Sequence, residues 1–384
     1  MNPTRMQTKA VEQFTCLGGE CPDTCCKGWG MQLTKETIDK YTHEAPQLLE
    51  AVSSGEAEFI MRRDPVTDYC VKFDAGWCGI HRDYGEAFLG DACHFYPRIT
   101  RTLGSTVITT AALSCPETAR LMLYGDDQLT LGARSEVRTP FSLRNVLPEN
   151  LSEDAALSIH QQFIDMAGDS QFSAAHNLMR VSALTRAIEM QPVNVWAEAL
   201  PMYASMVEGR IPKAEANPAD MFNLLHAVHG LMAASPNPRP LLVQLVERMA
   251  QSLGVTFGDK GAMQLADDAS ACAARQLARM RMQEPIIEPA LRRYVQAQLS
   301  QAMFPFAGFG VTLGERVTVI GVRLATLRLA LATLGDAPSE AELVSVVYNL
   351  SRFMDHLADP TLSMNIYRET GWVREARLRA ILGA

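Results

Sequence analysis

Eight of the nine cysteines in this chain lie between Cys16 and Cys115, and only Cys272 falls outside that stretch. In order they read Cys16-x4-Cys21-x3-Cys25-Cys26, then Cys70-x7-Cys78, then Cys93, then Cys115. Thiols at this density can pair as disulfides, ligate a soft metal, or act as redox or nucleophilic groups. Compartment separates the first from the rest. The segment Met1 to Ala10 has no apolar run of the kind that marks a secretory signal, so the chain is expected in the cytoplasm. In that reducing setting dense cysteines bind metal more often than they pair. The adjacent pair Cys25-Cys26 argues the same way, because a bridge between neighbours closes a strained and easily reduced ring.

The metal is less plainly written. Thiolates suit both zinc and iron–sulfur clusters. A structural zinc site shows two short C-x2-4-C knuckles, and here only Cys21-x3-Cys25 fits. Cys16, Cys21, Cys25, Cys26, Cys70, Cys78, Cys93 and Cys115 are all candidate ligands, more than the four that one zinc or one cubane cluster needs. Either two centres form or some of these thiols pack around one. Iron–sulfur is the first choice and zinc the alternative.

These cysteines carry a family resemblance. Cys-Pro-Asp-Thr-Cys-Cys-Lys-Gly-Trp (21–29), Cys78-Gly-Ile-His81, Cys93-His-Phe-Tyr-Pro-Arg98 and Leu-Ser-Cys-Pro-Glu (113–117) together resemble the flagellin lysine-N-methylase family. Residues 70–98 are also similar to small cysteine-cluster proteins that bind zinc or iron–sulfur centres. The likeness covers about the first 125 residues, with Met303-Phe-Pro-Phe306 a slighter echo beyond them. It implies methyl transfer from S-adenosylmethionine to lysines of flagellin, with a [4Fe-4S] cluster on the cysteines. One departure stands out. The C-x3-C-x2-C pattern of radical S-adenosylmethionine enzymes, begun at Cys21, requires cysteine at a position held by Gly28. Cys26 or a later cysteine would have to supply the third thiolate.

Residues beside the cysteines are the next candidates. His81, His94, Tyr96 and Arg98 stand where a supporting hydrogen bond or a substrate contact would be needed. Arg98 can pair its planar fork with the carboxylate of a bound amino-acid moiety, so Arg98 and His94 are the expected methyl-donor contacts. A lysine substrate must lose its proton before attack, and Tyr69, Tyr84, Tyr96 and Glu117 are near enough in sequence to take it. Tyr96, Arg98 and Glu117 are the catalytic candidates. Trp29 and Trp77 flank the cluster and suit a cover against water. Two other readings remain: a non-catalytic zinc- or cluster-stabilised interaction module, and an iron–sulfur redox protein.

The elements that position these residues divide the chain into three: a cysteine-rich α+β module over 1–125, a linker or packed arm over 126–150, and an α-helical domain over 151–384. The whole is expected to be mainly α. In the first part, 28–33 reads as a short strand and 34–52 as a helix capped by Thr34, with a polar connection over 55–68. Ile99–Leu103 and Ser105–Thr110 flank Gly104 as a hairpin, and Pro116 opens a helix through Leu123. In the second part Asn217-Pro218 starts a helix carrying apolar residues at 221, 224, 225, 228, 231 and 232. Ser339 and Glu342 form a capping box. Nine to eleven helices are expected, with no fixed repeat. His226 and His229 share a helical face but read as packing residues. Gly308, Gly310 and Gly314 lack the preceding strand of a nucleotide-binding turn and read as a loop before a helix at 314–335.

Composition sets the outer limits. A hydrophobic content of 47% with 20% charged residues is that of a chain with a proper core. The net charge is −8, and residues 1–125 hold 12 basic against 16 acidic side chains, so no nucleic-acid partner is expected. The apolar run Leu324–Ala332 is interrupted by Arg328, well short of a membrane span.

Overall fold

In the computed structural model the residues described are 4–54, 59–134, 144–207, 211, 214–235, 238–258, 261–308, 310–356 and 360–383. The protein is mainly α. Ten α-helices lie among the described residues from Glu153 to Leu382, and the strands are short.

Local signals decide most of the elements. Thr34 caps the helix Lys35–Glu44 by accepting from the Thr37 N–H at 3.3 Å. That helix stops short of the expected 52. Ala45 precedes Pro46, whose ring excludes helical backbone from the residue before it, and the chain continues as a 3-10 turn over Pro46–Ala51. The strand expected over 28–33 shrinks to Gln32–Leu33, because Gly28 takes φ of +84° and breaks the extended run. Part of the connection expected over 55–68 is the strand Phe59–Met61, while residues 55–58 lie outside those described.

The hairpin forms as Arg98–Leu103 against Thr106–Ala111, with Arg98 opposite Ala111 and Leu103 opposite Thr106. It is the centre of a five-stranded sheet. Arg5–Thr8 runs parallel to Thr106–Ala111 and antiparallel to Leu131–Ala133, and Arg144–Asn145 joins the other edge. So the stretch 126–150 contributes strands to both edges, with 135–143 outside the described residues.

Two clusters of buried apolar side chains result. A small one gathers Met31, Leu33, Tyr41, Leu48, Met61, Ile80 and Leu89 around Cys26 and Cys70. The large one takes Leu103, Ile108 and Leu113 from the hairpin region, and Ala119, Met122 and Leu123 from the helix Pro116–Tyr124, into the same core as the later helices. At its centre runs Leu313–Ala332, buried over almost its whole length from Val317. A helix this apolar on every face belongs inside a large protein. Its two buried arginines are paired, Arg323 with Asp355 at 3.0 Å and Arg328 with Glu284 at 2.8 Å, as buried charges must be. The 33-residue helix Ala269–Gln301 packs alongside it and is tied to the sheet by Ser300 Oγ and Thr110 Oγ, 3.1 Å apart.

The helix starts follow the expected chemistry. Asn217 Oδ1 accepts from the Ala219 N–H at 2.9 Å, and Ser339 with Glu342 closes a capping box. Gly308 and Gly310 precede a second box, Thr312 with Glu315; Phe309 between them lies outside the described residues. His226 is exposed, and His229 stacks on Phe257 with ring centroids 3.6 Å apart. Among the described residues no helix is long and apolar enough to cross a membrane.

Candidate functional site: a thiol-lined cavity

The cysteine-bearing segments meet because short elements and an irregular loop bring them to one place. The helix Gly79–Tyr84 begins directly after Cys78, and the two-residue turn Ala75-Gly76, both at positive φ, returns the chain to deliver it. Cys93 sits in the short helix Asp91–Phe95, and Cys115 caps Pro116–Tyr124. Cys16, Cys21, Cys25 and Cys26 come from the irregular loop before Gln32, which carries little regular hydrogen bonding of its own.

Seven of these eight sulfurs, those of Cys16, Cys21, Cys25, Cys26, Cys78, Cys93 and Cys115, line one cavity of about 370 Å³. His81, His94, Tyr96, Arg98 and Glu117 line the same space. Cys70 stands behind it in the small core, its N–H donating to the Cys26 carbonyl at 2.8 Å. All nine cysteines are free thiols. Cys272 is remote and contacts Arg275 Nη2 at 2.9 Å.

The electrostatics are uneven. The Cys26 thiol hydrogen-bonds to both Cys25 and Cys78 and is held far above the ordinary thiol range by those bonds and by burial. Its partners move the other way. Cys25 is lowered, chiefly by the Cys26 bond. Cys78 drops to about 6 through the same bond, aided by the His81 and Ile80 N–H groups at the helix start. Burial raises Cys21, Cys70 and Cys93, and takes Cys115 to about 11. Thus Cys26 is the hardest of the three to ionise, and its bonds favour the ionised forms of Cys25 and Cys78.

This donor set suits a thiolate-preferring metal in chemistry: soft sulfurs, unbridged, partly ionised, with a cationic arginine beside them. Among the described residues, however, no group of three or more His, Cys, Asp or Glu side chains is already spaced to hold an ion.

The neighbouring candidates separate. Arg98 Nη1 donates to the His94 carbonyl at 3.0 Å, and its guanidinium lies over Phe14, 5.4 Å from the ring centroid. His94 Nδ1 is 3.3 Å from Glu86 Oε1. Glu117 is held by both Arg120 Nη2 at 2.7 Å and Nε at 2.9 Å. Tyr96 is half-buried and donates to Ser114 Oγ at 3.3 Å; desolvation raises its phenol well above the usual range, so it keeps its proton. Trp29 Nε1 donates to the Cys25 carbonyl at 2.6 Å, while Trp77 rests on Gly18 and Gly19 and stays 42% exposed. Tyr69 stacks on Phe73 and Tyr84 bonds Gln47; neither lines the cavity.

Other residues complete the site with no local signal in the sequence. Asp23 receives Arg239, which precedes the helix Pro240–Ser252, and Arg352 from the last turn of Glu340–Met354. Arg352 also donates from Nε to the Ser114 carbonyl at 2.6 Å, and His356 Nε2 lies 2.8 Å from Ser114 Oγ. A lone arginine at a helix end reads as a surface charge until the fold brings a carboxylate to it.

Fold and site together define a mainly helical protein with a free-thiol cavity that Arg352 of the helical part lines. The chain is similar to the lysine-N-methylase of Salmonella typhimurium (strain LT2), 24% identical over 148 residues, which is 36% of this chain and 37% of that protein. The lysine-N-methylase of Salmonella choleraesuis (strain SC-B67) matches to the same extent. The flagellar biosynthetic protein FliU of Salmonella muenchen is 24% identical over 159 residues, 39% of this chain and 92% of that protein. These names bear out the resemblance carried by the cysteine motifs. The match spans little more than a third of the lysine-N-methylases' length. No family model matches the chain, and no solved structure does.

Proposed function

We propose that this protein methylates lysine side chains, with S-adenosylmethionine as donor and flagellin as substrate, and that its N-terminal cysteines hold an iron–sulfur cluster. The observation that carries the reading is the convergence of Cys25, Cys26, Cys78, Cys93 and Cys115 with Glu117, His94 and Arg98 on one cavity, in a chain similar to lysine-N-methylases.

The cavity's charge fits the reactants. A lysine ammonium and a sulfonium are both cations, and thiolates with the carboxylates of Glu86 and Glu117 favour them. Arg98 spends one donor on the His94 carbonyl and keeps the rest of its fork for the donor's carboxylate. His94, set by Glu86, fixes the backbone that aims Arg98. The transfer itself asks for positioning and exclusion of water more than acid–base chemistry. Tyr96 retains its proton, so Glu117 is the group that takes the lysine proton before attack. Thiols lining the cavity, Cys25, Cys78 and Cys93 among them, would hold the cluster, which supplies electron-transfer capacity when bound.

The test is incubation of anaerobically purified protein with methyl-labelled donor and flagellin monomer, followed by mass spectrometry of lysines. Methylated lysines with iron and sulfide in the protein are the expected result. Unmodified flagellin overturns the activity, and zinc in place of iron overturns the cluster.

A further inference from the structure

A second cavity, of about 400 Å³, opens between the sheet edge and the helices and shares no reacting group with the thiol site. Five arginines line it: Arg101, Arg144, Arg316, Arg323 and Arg368. Two are neutralised, Arg323 by Asp355 at 3.0 Å and Arg368 by Glu315 at 2.6 Å. The other three have no ion pair with a described carboxylate, and Glu189 acts on Arg316 from nearby. Arg316 donates to the backbone carbonyls of Pro305 and Gly310, and Arg101 Nε is buried with no partner among the described residues. Arg144 faces both and repels them: burial first, then Arg144, lowers the pKa of Arg101 and Arg316. Arg144 is exposed, so the cost of a missing counter-charge falls on the half-buried Arg101 and Arg316, and an anion between them would relieve it.

The lining also carries the polar side chains of Gln298, Gln301, Asp355, His356 and Thr361, and its apolar part is made by Ile99, Phe304, Ile320 and Met364. The amides at the start of the helix Leu313–Ala332 are already taken, Val311 by Glu315 at 2.8 Å and Leu313 by Glu189 at 3.0 Å, which leaves the arginines and Gln301, whose Nε2 is buried with no partner among the described residues, to meet an anion.

We propose that this cavity binds a small organic oxyanion, a phosphate or carboxylate carried on an apolar body, with Arg101, Arg144 and Arg316 on the head group and Ile99, Ile320 and Met364 against the body. Its volume is that of a small-molecule site. Its charge opposes a lysine or a sulfonium, so it is not the methyl-transfer cavity, and the proposal stands independently of that activity. His356 lines this cavity and reaches Ser114 on its far side, which places the anion beside the arginine network of the thiol site.

Calorimetric titration of the full chain tests it with three probes sharing one ring: phenyl phosphate, 3-phenylpropionate and benzyl alcohol. At least one anion binds, more weakly as salt is added, and the neutral alcohol does not. Preference between the two anions identifies the head group. A double variant, Arg101→Gln with Arg144→Gln, weakens the bound anion by about tenfold or more. Head-group dependence is read on the native chain, so a variant that fails to fold leaves the test intact. Neither anion binding, the alcohol binding as tightly as they do, or a folded double variant with unchanged affinity overturns the site.

Discussion

Arg239 Nη1 lies 3.0 Å from Asp23 Oδ2 across 216 positions of sequence, and Arg352 grips the same carboxylate from another helix. Arg239 Nη2 also takes the Lys27 carbonyl at 2.5 Å. The loop that carries Cys21, Cys25 and Cys26 is therefore tied to the helical body as well as by its own few hydrogen bonds, such as Cys26 N–H to Thr24 Oγ1 at 3.0 Å. The three side chains are mostly buried, which makes the ion pairs count.

Asp23→Ala removes the carboxylate and leaves two arginines facing each other. A loss of about 2–4 kcal/mol is expected, read as a lower urea midpoint at unchanged slope. A shift under about 0.5 kcal/mol would mean that the clamp adds nothing to stability.

Metal content should follow position in the cavity. Cys25→Ser and Cys78→Ser are expected to lose most of the bound iron, whereas Cys272→Ser, whose thiol is remote, keeps it. Iron and acid-labile sulfide assays on the three variants check this. Equal iron in all three would remove these thiols from the ligand set.

Arg98→Ala is expected to weaken S-adenosylmethionine binding by about tenfold to a hundredfold, the worth of a charge-assisted pair. Calorimetry with the donor alone reads it, and unchanged affinity removes Arg98 from the donor site. Tyr96→Phe, by contrast, deletes a hydroxyl that donates to Ser114 and meets Arg352, neither of them a reacting group, so methylation should stay within about tenfold of wild type. Glu117→Gln should cost more than Tyr96→Phe, because the amide takes up no proton.

Stability should depend on pH through Glu288. Burial, with Glu284 adding to it, raises this carboxyl to about 7, above its ordinary value of about 4.3 in the unfolded chain. Between those values the folded state holds the extra proton, so its contribution to stability falls as pH rises from about 4.3 to 7 and is level above. Glu288→Gln, with its amide still placed beside the Ala174 N–H and Arg292, should remove about 1–2 kcal/mol of that decline. Parallel unfolding curves for variant and wild type across this range would contradict the assignment.

Signals that act over three or four residues were legible in the chain alone. The Arg98–Leu103/Thr106–Ala111 hairpin, the caps at Thr34, Asn217 and Ser339, and the helix opened by Pro116 all stand where side-chain chemistry placed them. Each depends on a hydrogen bond or a fixed φ between near neighbours, which composition encodes directly. The early end of the helix after Thr34 was written there too, in the Ala45-Pro46 step.

Cysteine density likewise marked where a thiol site would form, and the mainly helical character followed from apolar spacing. Tertiary structure alone decided which sulfurs face one space and that Cys70 stands behind it. It also decided that Cys26 is raised while Cys25 and Cys78 beside it are lowered, and that Arg239 and Arg352 converge on Asp23. Those outcomes rest on desolvation and on contacts between residues hundreds of positions apart. Neither has a local pattern, because burial and charge pairing are properties of the packed chain and not of any short stretch of it.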